Sequence, residues 1–177
     1  FEGVEGRCHN RWFSTHVSSA EFATCRRLTT DALSAARDLL RRADVLVLTL
    51  GTDRCYRLPD GRLVANCHKQ PAATFTEHAA DVETLTSDLR RALDSLRALR
   101  PELQVVWTVS PYRYAKYGLH ASQLAKARLL LAVDALCATD ERSVYFPAYE
   151  LLLDELRDYR YYARDLLHPS DTAVEFI

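Results

Sequence analysis

"DVLVLTLG" (residues 44–51) decides how this chain is read. From Val45 to Leu50 every residue except Thr49 is aliphatic, and a glycine ends the run. A half-exposed strand would alternate apolar with polar residues, and a surface helix would break the run once per turn. A continuous apolar stretch of strand length is how a strand buried on both faces of a parallel sheet reads. "LQVVWTVSP" (103–111) repeats the pattern and "SVYFPAY" (143–149) gives a shorter third strand.

Helical patterns fill the intervals. Residues 20–42 predict a helix with Phe22, Leu28, Ala32, Leu33, Ala36, Leu39 and Leu40 as its apolar side. Residues 76–100 predict a second, in which Val82, Leu85, Leu89, Leu93 and Leu96 are spaced 3, 4, 4 and 3 and Pro101 stops the run. Residues 120–139 predict a third, residues 150–159 a shorter one, and Ser170 is placed to cap a last helix. "CYRLPDGRLVANC" (55–67) predicts a hairpin around its Pro-Asp-Gly turn, whereas residues 1–19 show no clear period. Strands alternating with long helices imply an α/β fold with a parallel sheet covered on both faces, read as one domain over residues 1–177. In such folds ligands sit beyond the carboxyl ends of the strands. Those ends are Gly51-Thr52-Asp53, Ser110-Pro111 and the segment from Pro147 onward.

Composition narrows the function classes. The chain has 177 residues, 48% hydrophobic and 27% charged, with a net charge of −1. That length supports a sizeable core, and the balanced charge gives no global field for nucleic acid or an anionic membrane surface. No apolar run approaches the ~18 residues of a membrane span, and no signal peptide is visible. The five cysteines are odd in number, irregularly spaced and lack a Cys-x-x-Cys pair, so free thiols in a reducing cytoplasm are expected. The chain contains no methionine and begins "FEGVEG", so its natural start is expected to lie upstream.

Several constellations carry candidate chemistry. Asp165 and His168 stand three apart in "DLLHPS", with Pro169 biasing His168 away from helical geometry. A histidine can take and return a proton near neutral pH, and a carboxylate on its other nitrogen fixes tautomer and orientation. Spacing alone favours an incidental surface pair. In "ANCHK" (65–69), Asn66 could donate to an oxyanion and His68 could line a site, although a polar turn explains the same letters. Gly51 would let backbone approach a ligand, and Thr52 offers an amide and a hydroxyl; a plain strand-ending turn reads equally well. Ser110, followed by proline and without a glycine-rich elbow, reads better as a turn serine than as a nucleophile. The Tyr/Arg-rich segment 155–165, with Tyr149 before it, offers Arg157 and Tyr161 as contacts for a sugar or a phosphate. A solvated helix face laced with ion pairs is the simpler reading.

Taken together, "TLGTDRCYRL" (49–58), "VANCHKQPAATF" (64–75), "TVSP" (108–111), "AKA" (125–127), "YFPAYELLLDELRDYRYYARDLLHPS" (145–170) and the closing "FI" resemble the GSCFA-domain family. The resemblance runs from about Trp12 to the end. It implies membership of the SGNH/GDSL-like hydrolases and their flavodoxin-like three-layer α/β/α sandwich. Such enzymes use a serine at the end of the first strand and an Asp-x-x-His near the C-terminus, so the resemblance implies His168 as general base and Asp165 as its orienting partner. The Gly-Ser-Cys-Phe-Ala stretch that names the family does not occur here. The first strand and its serine are therefore expected upstream of Phe1, and a sheet lacking that strand is expected to expose an edge or an apolar face. Two positions depart from the family pattern: Ala125 stands where a serine is usual, and Asp53 where a small residue is expected.

The expected function is an SGNH-type ester hydrolase or acyltransferase, with an acylated carbohydrate or other small-molecule ester as substrate. Gly51, Thr52, Asn66 and His68 would serve the oxyanion or the substrate, and Tyr149, Arg157 and Tyr161 would bind the substrate. The alternative is a non-catalytic module that binds a glycan or small anion on the same fold. A metal hydrolase using His68, His168 and Asp165 has no ligand signature behind it. No cofactor, nucleic-acid partner or membrane partner is expected.

Overall fold

The computed structural model describes residues 1–4 and 6–177, which form two compact units. The first comprises residues 1–42 and 54–79, the second residues 43–53 and 80–177.

The second unit carries the parallel sheet. Its strands are β4 (Val45–Leu50), β8 (Gln104–Val109) and β9 (Ser143–Phe146), in the order β4-β8-β9 with every pairing parallel. The register aligns Leu50 with Val109, so Gly51 and Ser110 leave the sheet side by side, and the Ser110 amide donates to the Leu50 carbonyl at 2.9 Å. The central strand β8 is the core: Val105, Trp107 and Val109 are fully buried. The Trp107 indole N–H is satisfied by Ser143 Oγ at 3.1 Å, which makes a buried tryptophan affordable at that position. The edge strand β4 differs from the sequence expectation of burial on both faces, since Val45 and Val47 are exposed and only alternate residues turn inward. A uniformly apolar run erases the period that would have told an edge strand from a central one.

Helix α2 (Val82–Leu99) begins at Asp81, whose carboxylate accepts the Thr84 amide at 2.7 Å, and it buries the predicted stripe centred on Leu93. It starts later than its apolar period suggested, because residues 76–79 are a strand of the first unit. Helix α3 (Gly118–Cys137) packs against α2, β8 and β9. Its buried positions Ser122, Ala125, Lys126, Leu129, Ala132, Val133 and Leu136 recur at helical spacing. After β9 a single turn, α4 (Ala148–Glu150), passes into a π-helix over Leu151–Leu156, within the stretch expected to be helical and ending before its expected limit at residue 159. The last helix, α5 (Asp171–Phe176), is capped as predicted, with Ser170 Oγ accepting the Ala173 amide at 3.3 Å.

The first unit holds two small antiparallel sheets and one long helix. Strands β1 (Glu2–Val4), β2 (Arg7–His9) and β3 (Ser18–Ser19) pair in sequence order, in a region where the sequence showed no period. Strands of two or three residues are too short to display one. The predicted hairpin forms from β5 (Arg54–Arg57) and β6 (Leu63–Val64), and β7 (Thr76–Ala79) pairs on the other side of β5. Helix α1 (Phe22–Arg42) forms as expected and is anchored by buried Cys25 and Thr29. Its predicted apolar side is largely open, with Phe22, Leu33 and Leu39 exposed. All five cysteines are free thiols. Among the described residues no helix is long and apolar enough to cross a membrane.

Candidate functional site

The loop between Tyr162 and Ser170 is built to hold one histidine still. Tyr162 and Pro169 face each other as an antiparallel bridge. The Ala163 amide donates to the His168 carbonyl at 2.8 Å and the Ser170 amide to the Tyr161 carbonyl at 2.8 Å, which pins both ends. Leu166 takes a left-handed φ of 58° to make the turn, a conformation a leucine adopts only when its surroundings hold it there. Pro169 has no amide to lose and disfavours helical geometry at His168.

Inside that loop the Asp165 carboxylate does two jobs. Oδ1 accepts the backbone amides of Leu167 at 2.9 Å and His168 at 3.0 Å. Oδ2 lies 2.5 Å from His168 Nδ1. The backbone bond from His168, its side-chain bond and the Leu167 amide together draw the Asp165 carboxyl down to about 2, so it is ionised throughout the neutral range. An ionised carboxylate can only accept, so Nδ1 carries the proton and Nε2 presents its lone pair. Among the described residues none hydrogen-bonds Nε2, and the His168 side chain is 61% exposed. One face of the ring packs on Tyr112, with centroids 4.4 Å apart. Tyr112 comes from the loop after β8, where Ser110 Oγ accepts the Tyr112 amide at 3.3 Å, and the next amide, Arg113, donates to the Leu167 carbonyl at 3.1 Å. The pair therefore sits in the unit that holds the parallel sheet, tied to a loop from the carboxyl end of its central strand.

The carboxyl end of β4 is organised by two cations that the sequence reading did not single out. Lys126 Nζ donates to the Gly51 carbonyl at 2.6 Å, and Arg128 pairs with the buried Asp53 carboxylate at 2.6 Å. Burial pulls the Lys126 amine down to about 8, against an opposing pull from Asp53. Two cations inside the otherwise apolar segment "LAKARLLLAV" were the signal available. Asp53, where the resemblance led a small residue to be expected, is the buried counter-ion of Arg128. Gly51 is required by a neighbour: a Cβ there would stand 2.9 Å from the Tyr114 hydroxyl. Thr52 lies half-buried between them.

The other expected residues are distributed as follows. Tyr149 is buried against Val109 and Leu129, and its hydroxyl donates to Gln123 Oε1. Arg157 takes a left-handed φ of 47° at the end of the π-helix and lines a cavity of about 140 Å³ with Arg113, Leu152, Asp158, Tyr159 and Tyr162. Tyr161 packs beside buried Leu152, Tyr162 and Ala173, under the Arg160 guanidinium at 5.0 Å.

Asn66 and His68 belong to the first unit. Asn66 Oδ1 accepts the His68 amide at 2.8 Å, and its Nδ2 donates to the Phe13 carbonyl at 3.1 Å. The buried His68 ring lies 3.3 Å from Thr15 Oγ1 through Nδ1 and 3.2 Å from the Asn10 carbonyl through Nε2, and it stacks on His9 with centroids 4.4 Å apart. A carbonyl only accepts, so Nε2 is the protonated nitrogen there. Among the described residues no three His, Cys, Asp or Glu side chains gather in an arrangement that would hold a metal ion.

Compared with known proteins, residues 2–177 match the model described as "GSCFA family". No curated protein and no solved structure matches the chain.

Proposed function

The chain belongs to the GSCFA family, and from that premise we propose that it is an SGNH-type ester hydrolase or acyltransferase in which His168 is the general base and Asp165 its orienting carboxylate. The observation that carries this reading is the 2.5 Å contact between Asp165 Oδ2 and His168 Nδ1, with Nε2 left open. A serine hydroxyl presented to Nε2 gives up its proton as Oγ bonds to the acyl carbon. The imidazolium is stabilised by Asp165 and returns the proton to the departing alkoxide as the ester bond breaks. Water, or an acceptor alcohol, then repeats the sequence on the acyl-serine. The Gly51-Thr52 turn is proposed to offer amides to the oxyanion, with Lys126 holding the Gly51 carbonyl so that the turn keeps one conformation. An acylated carbohydrate is the proposed substrate class, supported by the tyrosines and arginines that follow the π-helix.

The test is hydrolysis of aryl acetates by the intact protein. His168→Ala should lower kcat/KM by ~10²–10⁴-fold. Equal rates in wild type and variant would remove the base from the mechanism. The second reading is a binding module, favoured by the cavity at Arg113 and Arg157. Binding of sugar ligands with no turnover of any ester would select it.

A further inference from the structure

We propose that the cavity lined by Arg113, Arg157 and Tyr162 is a subsite for an oxyanion, a carboxylate or phosphate carried on a sugar. This deepens, and rests on, the reading of the second unit as a site for carbohydrate ligands.

The groups that meet there are mostly hydrogen-bond donors. Neither Arg113 nor Arg157 forms an ion pair with a carboxylate among the described residues. The Arg113 guanidinium lies over Tyr162, 3.8 Å from the ring centroid, and 5.8 Å from that of Tyr159. A guanidinium resting over an aromatic ring can still turn several of its five N–H donors toward a ligand. The Tyr162 hydroxyl is buried and makes no hydrogen bond of good geometry within the protein. Burial holds its phenol protonated, against the charge of Arg113 and a hydrogen-bonding effect from the same guanidinium, so its O–H can donate to a ligand. The carboxylate at the rim, Asp158, is occupied: it accepts the Arg160 amide at 2.9 Å and faces Arg160 Nε at 3.7 Å.

The backbone that delivers Arg157 is unusual twice over. The chain leaves a π-helix, with the Arg157 amide bonding to the Leu152 carbonyl at 3.2 Å, and enters a left-handed residue that is not glycine. π-helical turns and left-handed non-glycine residues persist where surroundings enforce them, and they cluster at functional sites. A glycine would serve the turn better, so an arginine side chain at this position has another use. Size and place agree with a sugar-borne anion. About 140 Å³ holds a carboxylate or phosphate with a short stem. Consecutive residues then connect the subsite to the candidate base, since Tyr112 packs on His168 while Arg113 lines the cavity.

The experiment is calorimetric titration of the intact protein with glucose, glucuronate and glucose 6-phosphate, wild type against Arg157→Gly. Arg157→Gly keeps the left-handed turn and so keeps the fold. At least one anionic sugar should bind with a Kd of ~1 mM or tighter, glucose should bind at least tenfold more weakly, and Arg157→Gly should weaken the anion about tenfold or more. Whether carboxylate, phosphate or both bind tells the source of the anion. Equal binding of glucose and the anionic sugars, no binding of either anion, or undiminished binding by a folded Arg157→Gly would overturn the proposal. The readout needs no turnover, so loss of the esterase reading would leave it standing.

Discussion

His68 and His168 stand in stretches that look alike on paper, "ANCHK" and "DLLHP", yet the chain uses them in opposite ways. His68 is 5% exposed, stacked on His9, with one ring nitrogen given to a backbone carbonyl and the other beside a threonine hydroxyl. His168 gives one nitrogen to a carboxylate and leaves the other to solvent. A carbonyl fixes a ring but offers no charge to stabilise an imidazolium, whereas a carboxylate does both. The difference lies in what holds the second nitrogen, and that partner is chosen by the fold.

The largest effect that would sharpen this contrast is on turnover. Asp165→Asn should cost about 10²–10⁴-fold in kcat, because an amide side chain can hold Nδ1 in the wrong tautomer. His68→Ala should act the other way. It removes buried hydrogen bonds and leaves partners unsatisfied, so the thermal midpoint should drop by the equivalent of ~1–3 kcal/mol. Turnover lost to the same extent in His68→Ala, with stability intact, would break the comparison.

Lys126→Met should lower stability by ~1–3 kcal/mol, because it orphans the Gly51 carbonyl, and it should alter a pH trend. The Lys126 amine titrates near 8 when folded and at its ordinary 10.5 when unfolded. The unfolded chain therefore binds more protons between those values, and this group makes stability rise with pH across that window. Denaturant midpoints measured from pH 8 to 10 should show that contribution in wild type and lose it in Lys126→Met.

Asp165 gives the opposite case. Its folded value near 2 lies below the ordinary 3.8, so its contribution is full above about pH 4 and fades as pH falls through 2. Carboxyl chemical shifts followed by NMR should place its midpoint near 2. The smallest effect is Arg157→Gly, which relieves a left-handed residue and should leave stability unchanged or raise it by up to ~1 kcal/mol.

The parallel strands were legible as apolar runs of strand length, although only the central β8 is buried as such a run implies, and α2 and Ser170 were legible because helical period and capping are local. The Asp165–His168 pair was legible as a spacing, but the bond depends on the Tyr162–Pro169 bridge that closes the loop, a contact no spacing reveals. Lys126 and Arg128 were overlooked because a charge on an apolar helix gains meaning only from its partner, here Gly51 and Asp53 across the sheet end. Six residues are too few to show the wider period of a π-helix, so residues 151–156 read only as helical. The open face of α1 was hidden because an apolar residue reads as buried until its neighbours are known.

The most direct test of the central claim is labelling of the intact protein with a fluorophosphonate, which reacts with a serine only when a base activates it. The labelled peptide would be located by mass spectrometry. A single labelled serine in wild type, with labelling abolished in His168→Ala, is the result predicted. Wild type that takes no label, or a His168→Ala variant labelled as fast as wild type, would contradict His168 as the base.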